Sequence, residues 1–370
     1  MKKSVFIMIS VIAATAILIL GAGSSLADKK VEWNFVSMLM NTHPVVTNAV
    51  IPVFEKFKKE SGGRFEIAIY NPGTLVPTPE LHRAIQRGAA DIGVFGPSRF
   101  PNEFPITTLG DYPFLFRGSR AASFSMAELF TSNQQIQQEY NKMKVLGFTS
   151  STPFDIVSIE PIRTLEDIKG KRFGVMESAS VQIVQLLGGV PVLLNPTDLY
   201  VSLQRGMVDA VVAPIPTYRS IKICEVAKYI IKCDIKCCIT PETASLNSYN
   251  KLPDDIKAIV SEISLKANTA LCSNWVEIFT EKDLQWLIEN NGVQIIEIAP
   301  EEIERWRTAV KPMYDEWIRL AKKNGVKNPE AILAELRSHA EKYNKIENQI
   351  AETAKYKDVL GDLYVNYKEN

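Results

Sequence analysis

Apolar residues recur with two different periods along most of the chain, and the two periods alternate. An apolar-rich segment over 31–36 predicts a strand, and the apolar residues over 46–57 recur at helical spacing. A pair of glycines ends this predicted helix, and the alternation over 65–69 predicts a second strand. A further helix and a buried strand follow over 79–95. Strands and helices that alternate at this pace predict a mostly parallel sheet with helical crossovers.

A helix-to-strand unit near residue 90 recurs 118 residues later. Residues 80–94 and 198–212 share an acidic residue and a leucine at the helix start, Gln-Arg-Gly at its end, and an aspartate before the strand. Chance similarity between two such turns is one explanation. We favour two related α/β lobes, each presenting the C-terminal end of a strand, at 95–97 and 212–214. Because ligands bind outside such strand ends, the repeat predicts a cleft between two facing lobes.

The C-terminal third is predicted to be mainly helical. Apolar residues over 254–289 recur at helical spacing, and a helix of this length would reach about 50 Å and tie both lobes together. The segment 328–370 is charged and predicted helical, with few apolar positions. We expect an amphipathic helix packed on the body of the protein; a coiled-coil face for a partner is the alternative.

The first 27 residues have the pattern of a secretory signal. Lys2 and Lys3 precede an apolar run over 5–20, and the small residues Ser25 and Ala27 predict cleavage after Ala27. An uncleaved anchor is the alternative, because the run is almost long enough to span a membrane. No cysteine follows, so lipid attachment is not expected. Since no later segment reaches transmembrane length, we expect a periplasmic protein without stable membrane insertion after signal cleavage.

The composition narrows the class of protein. A chain of 370 residues that is 46% hydrophobic and 23% charged is globular, and it is neither disordered nor a multi-span membrane protein. The length suffices for two domains with separate cores. With 42 basic and 42 acidic residues the chain lacks the basic excess that a phosphate backbone requires, so we expect no nucleic-acid partner.

The residues that carry chemistry are few. Five cysteines cannot all pair in disulfides, and we expect small buried side chains with at most one bridge. They are Cys224, Cys233, Cys237, Cys238 and Cys272. The three histidines lie far from them in sequence, so no metal site is expected. The chain has no glycine-rich phosphate loop, Gly-x-Ser-x-Gly motif or histidine pair at metal-ligand spacing. We therefore expect no enzyme activity and no cofactor.

Seven short motifs follow one another in a characteristic order. They are GGR at 62–64, EL at 80–81 with Gly88 and Asp91, YPFLF at 112–116, EDIKGK at 166–171, LY at 199–200 with Gly206 and Asp209, EVAKY at 225–229, and LPDD at 252–255. In this order and spacing, over about 31–320, the chain resembles the periplasmic solute-binding proteins of TRAP (tripartite ATP-independent periplasmic) transporters.

The resemblance implies a receptor of the two-lobed periplasmic-binding-protein fold, each lobe a mostly parallel sheet flanked by helices. Such a receptor closes around a small organic solute and delivers it to the small and large membrane subunits of a TRAP transporter, as a monomer or a dimer. Closure is driven by ligand contacts made in both lobes at once. The implied division is a signal at 1–27, lobe I at 28–149 plus about 238–275, lobe II at 150–237 plus about 290–325, a lobe-spanning helix at 254–289, and a C-terminal helical extension at 328–370.

The chain departs from the family pattern at three positions. The family's strand after Gly-Lys carries an arginine that pairs with the substrate carboxylate, and Gly174 stands at that position here. A second arginine found in some members lines up with Phe154, and an asparagine before proline lines up with Ala213. Three polar contacts for an acid are thus replaced by Gly, Phe and Ala.

Two hypotheses about the solute follow. In the first, which we favour, Gly174 makes room for an aromatic, cyclic or uncharged solute, because a buried carboxylate without a partner is costly. The lining of this slot would be Phe95, Phe154, Met176 and Tyr218. In the second, an organic acid is bound by a relocated arginine: Arg172, Arg99 or Arg219. Further candidate contacts at the strand ends are Gly96, Ser98, Ala213 and Pro214. The arginines could instead form ion pairs, and the aromatic residues could belong to the core.

Two functions of other classes remain as alternatives. An extracytoplasmic sensor domain or solute chaperone would use the same fold without an importer. A secreted α/β enzyme would need a base and a nucleophile that converge in the cleft, and the sequence offers no such pair.

Overall fold

The computed structural model describes residues 30–353, with side chains up to residue 349. The predicted signal at 1–27 and the part of the C-terminal extension beyond 353 lie outside these residues. None of the helices within 30–353 combines the length and apolar character needed to cross a bilayer. The described chain forms two sheets flanked by helices, and each sheet is the centre of one lobe.

Lobe I contains a five-stranded sheet. Its strands are β1 (Val31–Ser37), β2 (Phe65–Ile69), β3 (Ile92–Val94), β4 (Met143–Ser150) and β10 (Ile239–Ser245), in the order β2-β1-β3-β10-β4. Strand β1 is parallel to β2 and β3, whereas β10 is antiparallel to β3 and β4. Its helices are α1 (Ile51–Glu60), α2 (Leu81–Arg87), α3 (Ser119–Ser132) and α4 (Gln134–Glu139). The parallel strands are joined through helices α1 and α2, as the alternating periods predict.

Lobe II contains a six-stranded sheet. Its strands are β5 (Phe154–Ser158), β6 (Arg172–Val175), β7 (Val190–Leu193), β8 (Ala210–Pro214), β9 (Tyr229–Lys236) and β11 (Gln294–Glu297), in the order β11-β9-β5-β8-β6-β7. The helices along this part of the chain are α5 (Leu165–Ile168), α6 (Ser178–Leu186), α7 (Leu199–Gln204) and α8 (Ile215–Ser220). Strand β5 is antiparallel to both of its neighbours, β8 and β9.

Two short segments carry the chain from one lobe to the other. Residues 151–153 join β4 to β5, and residues 237–238 join β9 to β10. The two segments are hydrogen-bonded to each other: the amide of Ser151 donates to the carbonyl of Cys238 at 3.0 Å, and the amide of Cys238 donates to Ser151 Oγ at 3.0 Å. We call these two segments the hinge, since any movement of one lobe against the other bends them.

The expected single helix over 254–289 is two helices in the structure. The C-terminal helices are α9 (Leu246–Asn250), α10 (Asp254–Ile263), α11 (Lys266–Asn291), α12 (Pro300–Lys323) and α13 (Pro329–Thr353). Helices α10 and α11 are separated because Leu265 adopts a φ of +53° and its amide donates to the carbonyl of Leu146. Helix α11 does contact both lobes: Thr269 Oγ1 accepts from Phe148 of β4 at 3.0 Å, and Asp283 pairs with Arg219 of α8.

Helix α13 packs along α3 of lobe I. Ile332, Leu336 and Ala340 are buried in the lobe I core, and Arg120 forms a buried ion pair with Glu347 at 2.9 Å. Through residue 349 the extension is therefore an amphipathic helix on the body of the protein.

All five cysteines lie within the described residues and carry free thiols, so the one bridge that we allowed for is not present. Four of them are buried, and burial raises the pKa of the Cys224 thiol to about 12. Their role is that of small apolar core residues.

Candidate functional site

A buried lysine marks the point where the two lobes meet. Lys236 is the last residue of β9, and its side chain is fully excluded from solvent. The sheet register places it beside Phe154, which in turn pairs with Pro214. The Lys236 ammonium lies 4.3 Å from the centre of the Phe154 ring, a cation–π contact. Lysine is rarely buried to this extent unless it is paired, so the position calls for anionic partners.

One carboxylate from each lobe supplies that pairing. Glu177, which follows β6 in lobe II, places Oε2 at 3.2 Å from Lys236 Nζ. Asp111, at the end of a 3₁₀ helix (Thr107–Asp111) in lobe I, places Oδ2 at 4.0 Å. Burial alone would lower the pKa of Lys236, but these two carboxylates outweigh it and raise the pKa above its ordinary value. Lys236 is therefore a permanent positive charge at the junction of the lobes.

Asp111 is held in place from lobe I. Its Oδ1 accepts from the amide of Ile239 at 2.8 Å, and the Ser98 side chain also hydrogen-bonds to it. Burial raises the pKa of Asp111, and Lys236 opposes that shift. Asp111 Oδ2 has no hydrogen-bond partner among the described residues. This oxygen is thus an acceptor that a ligand hydroxyl or amine could use.

Arg99 brings a second positive charge to the same region. It ends the 3₁₀ turn (Pro97–Arg99) that follows β3, and it is exposed. Burial raises the pKa of the Cys238 thiol to about 12; Asp111 acts in the same direction, whereas Lys236 and Arg99 oppose it. Lys236 and Arg99 therefore both act electrostatically on one hinge side chain, the Cys238 thiol. Among residues 30–349, whose side chains are described, Arg99 forms no ion pair.

The other two candidate arginines form ion pairs with aspartates. Arg172 forms a two-pronged pair with Asp209, with Nη2 at 2.6 Å from Oδ1 and Nε at 3.1 Å from Oδ2. Arg219 pairs with Asp283 and stacks over the ring of Trp286 at 4.6 Å. Both are the ion pairs that we weighed as the alternative role for these side chains.

The structure places three members of the expected apolar slot in cores. A Cβ on Gly174 would lie 2.8 Å from Leu199 Cδ2 and 3.3 Å from Val211 Cγ2, so this position faces helix α7 and the lobe II core. The hydroxyl of Tyr218 donates to the carbonyl of Asp155 at 2.6 Å inside the same lobe. Phe95 packs against Phe104 in lobe I, with ring centres 5.2 Å apart. Gly174, Tyr218 and Phe95 thus lie against core residues of their own lobes.

The remaining candidates lie at strand ends. Ala213 is fully buried in the lobe II core, whereas Pro214 is partly buried and adjoins Phe154. Met176 is partly buried against the apolar core that contains Tyr218. A Cβ on Gly96 would lie 3.4 Å from Met38 Sδ and 4.0 Å from Arg99 Nε, which places Gly96 beside the interlobe charges. The structure thus brings Ser98, Arg99, Phe154 and Pro214 towards one region.

Lys236, Asp111 and Glu177 were not among the residues that the sequence singled out. A signal for Lys236 does exist: it ends an isoleucine-rich segment and directly precedes two cysteines, residues that are usually buried. Asp111 and Glu177 are distant from it in sequence, and no spacing rule connects them.

The arrangement is suited to binding. The Lys236 ammonium, the Phe154 ring and an acceptor oxygen of Asp111 meet at the junction of the lobes, and the exposed guanidinium of Arg99 follows a strand end of lobe I. Guanidinium and ammonium groups both form charge-assisted hydrogen bonds with carboxylates. Within the described residues, no group of three or more potential metal ligands is assembled.

The comparisons with known proteins concern the family and the fold of the chain. The model of a family described as bacterial extracellular solute-binding protein, family 7 (DctP) matches residues 35–320. A solute-binding protein of Sulfitobacter sp. (strain NAS-14.1) is 24% identical over 232 residues, which cover 61% of this chain and 68% of that protein. A TRAP periplasmic solute-binding protein from Desulfovibrio salexigens superposes with a TM-score of 0.80 at 21% identity, covering 85% of this chain and 97% of that one. A TRAP solute-binding protein from Rhodoferax ferrireducens T118 in complex with benzoate superposes with a TM-score of 0.76 at 19% identity, covering 86% and 100%.

Proposed function

Because the chain belongs to the bacterial extracellular solute-binding proteins of family 7, whose members are receptors and not enzymes, we propose that it binds a small organic acid between its two lobes, with the carboxylate held by Lys236 and Arg99. As a TRAP-type receptor it acts outside the cytoplasmic membrane and works with membrane subunits. The proposal extends this to the chemistry of the solute and to the residues that recognise it.

The observation that carries the proposal is the buried Lys236 ammonium. The sheet holds it over the Phe154 ring, and one carboxylate from each lobe lies beside it. A buried cation at this junction costs desolvation energy, which only anionic partners offset. Glu177 and Asp111 supply such partners from the protein, and a ligand carboxylate that enters beside Lys236 would add to this pairing from the solute itself. The Phe154 ring offers an apolar face for the rest of a small acid.

Arg99 supports an acid over an uncharged solute. The first hypothesis, an apolar slot, rested on Gly174, and that residue faces the core of lobe II. The second hypothesis needed an arginine that is free to move to the solute. Arg172 and Arg219 are paired with aspartates, whereas Arg99 is exposed and follows a strand end of lobe I. The organic acids bound by relatives, benzoate, mandelate and galacturonate, are of this chemical class.

Contacts from both sides of the hinge would favour the closed state. Arg99 belongs to lobe I, and Lys236 ends a strand of lobe II immediately before residues 237–238. A carboxylate that touches both cations binds the closed arrangement better than the open one, and this difference in affinity shifts the population of states. The proposed mechanism involves bending of the hinge and no covalent step.

Delivery completes the proposed function. We infer that the signal at 1–27 is cleaved in the periplasm and that the loaded receptor passes its solute to the small and large membrane subunits of a TRAP transporter. Both a monomer and a dimer are compatible with this role.

The test starts from a thermal-shift screen of the mature protein against benzoate, mandelate, galacturonate and C4-dicarboxylates, with polyols and amines alongside. Calorimetry then measures the strongest acid against three variants. Arg99→Gln and Lys236→Gln should weaken binding by about tenfold or more, since each removes a charge-assisted contact. Arg172→Gln, an arginine paired far from the hinge, is the matched control and should bind as the wild type does. Unchanged affinity in a folded Arg99→Gln variant, or a screen in which only uncharged solutes bind, would refute the proposal.

A further inference from the structure

A second concave site lies between the last two helices and the segment 113–117. The cavity measures about 620 Å³, which falls in the range of small-molecule sites. Its walls come from three parts of the chain: residues 113–117, helix α12 around Lys311, and helix α13 around Arg337. None of the residues assigned above to the interlobe site lines it.

The charge of this cavity is strongly positive. Its cationic lining residues are Arg117, Arg307, Lys311, Arg337 and Lys345, and Glu341 is the acidic one. Two of the five have carboxylate partners: Arg307 pairs with Glu304 at 3.3 Å, and Lys345 pairs with Glu341 at 2.9 Å.

The other three cations, Arg117, Lys311 and Arg337, have no carboxylate within ion-pair distance among residues 30–349, whose side chains the structure describes. Arg337 instead stacks over the ring of Tyr314 at 4.7 Å. Three unneutralised cations facing one concavity repel each other, and an anion placed between them would relieve that repulsion.

Hydrogen bonds between the walls fix the shape of the cavity. The hydroxyl of Tyr314 donates to the carbonyl of Pro113 at 2.5 Å, which ties helix α12 to segment 113–117. The Asn344 side chain accepts from the amide of Arg117 at 2.9 Å and donates to the carbonyl of Leu115 at 2.9 Å, which ties helix α13 to the same segment. The cationic groups are thus mounted on a braced frame, and less ordering is needed when a ligand binds.

A side-chain hydrogen bond fixes the orientation of the Arg117 guanidinium. Arg117 Nη1 donates to the side-chain oxygen of Asn348 at 3.0 Å, so the guanidinium is held at the wall while its other N–H groups stay available. A guanidinium held in this way is suited to two-pronged contacts with the oxygens of a phosphate or a carboxylate.

We propose that this basic cavity binds a small anion that carries two or more negative charges, such as inorganic phosphate or a compact di- or tricarboxylate. A singly charged acid would leave most of the positive charge unneutralised. The concave shape and the volume favour a small molecule over the flat face of a protein partner. The site is separate from the solute site, and the proposal does not depend on the identity of the transported solute.

Calorimetry at constant ionic strength tests the proposal on the mature protein, with phosphate, citrate and acetate as probes. Phosphate or citrate should bind, and acetate should bind at least tenfold more weakly. The double variant Lys311→Gln/Arg337→Gln should lose about tenfold or more of the affinity for the multivalent anion, because both charges face the cavity. Arg319→Gln is the matched control: it lies on the same helix, pairs with Glu316 at the surface and is outside the cavity.

The variants also separate a local site from a general effect of charge. The double variant should keep its circular dichroism spectrum and its affinity for the organic acid found in the solute screen. Lys311→Gln alone, at an exposed position without an ion pair in the described chain, should give a smaller loss in the same direction. Absence of phosphate and citrate binding, equal binding of acetate, or an equal loss in Arg319→Gln would each overturn the proposal.

Discussion

Glu242 offers the sharpest test of how this structure responds to pH. It lies in the middle of β10, is 1% exposed, and pairs with Val94 of β3 and Gly147 of β4. Burial raises the pKa of its carboxyl group from 4.5 to about 7, and the neighbouring Asn268 side chain opposes this without offsetting it. The cause is desolvation: in the described residues no cation lies within ion-pair distance of this side chain.

The direction of the pH effect follows from this raised pKa. Between about pH 4.5 and 7 the folded protein keeps a proton on Glu242 that the unfolded chain has lost. The favourable contribution is complete below the unfolded value and is lost as the pH rises through the folded value. At about 1.4 kcal/mol per pH unit, the interval from 4.5 to about 7 corresponds to about 3 kcal/mol of unfolding free energy.

Glu242→Gln replaces the titrating group by a neutral one of the same shape and should remove this dependence. At pH 8 the variant should be more stable than the wild type by up to about 3 kcal/mol, seen as a Tm about 5 °C higher. At pH 4.5 the two should melt together. Scanning fluorimetry or calorimetry over this pH range measures the difference in Tm between the variant and the wild type. Other buried carboxylates such as Glu139 are present in both proteins, so their contributions cancel in this difference.

The control for this experiment is Glu55→Gln, at an exposed position on α1, which should melt as the wild type does at every pH. The reasoning is refuted if Glu242→Gln gains no stability at pH 8, or if it changes the Tm equally at pH 4.5 and 8.

Three further predictions concern the hinge and the cores. Lys236→Met should lower the unfolding free energy by about 3–5 kcal/mol because it leaves Asp111 buried without its cation, and adding Asp111→Asn should recover part of the loss; a stable single variant in urea denaturation contradicts this. Gly93→Ala should cost about 1–3 kcal/mol, since the new Cβ would lie 2.6 Å from the carbonyl oxygen of Val36, and an unchanged Tm would show that β3 shifts freely. A thiol reagent should label buried thiols such as Cys224 much more slowly in the native protein than in the unfolded chain, because burial raises the pKa of this thiol to about 12; rapid labelling of Cys224 in the native state would count against this packing.

The parts of the fold that depend on local signals were predictable from the sequence. Gly88 and Gly206, the repeated glycines, both adopt a positive φ just after helices α2 and α7. The helix break at Leu265 was not predictable, because it has no glycine or proline and depends on a contact with Leu146 more than a hundred residues away. The exact lobe boundaries stay a prediction.

Only part of the candidate site could be predicted from the sequence. Ser98 and Arg99 follow the C-terminal end of β3, where Brändén's rule expects ligand contacts, whereas Phe154 was chosen from the family resemblance and lies beside the Lys236 ammonium. Gly174 was assigned to the site by its place in the family pattern, and a Cβ there would lie 2.8 Å from Leu199 Cδ2 on helix α7, a neighbour that the pattern could not reveal. Lys236 depends on carboxylates from both lobes, and only the folded chain brings these together.

The central claim is that a negative charge on the solute is what the interlobe site recognises. Calorimetry of the best acid from the screen against its primary amide isolates that charge at nearly constant shape. The account predicts that the acid binds the wild type at least about tenfold more tightly than the amide, and that this preference largely disappears in Arg99→Gln. Equal affinity of acid and amide for the wild-type protein would contradict it.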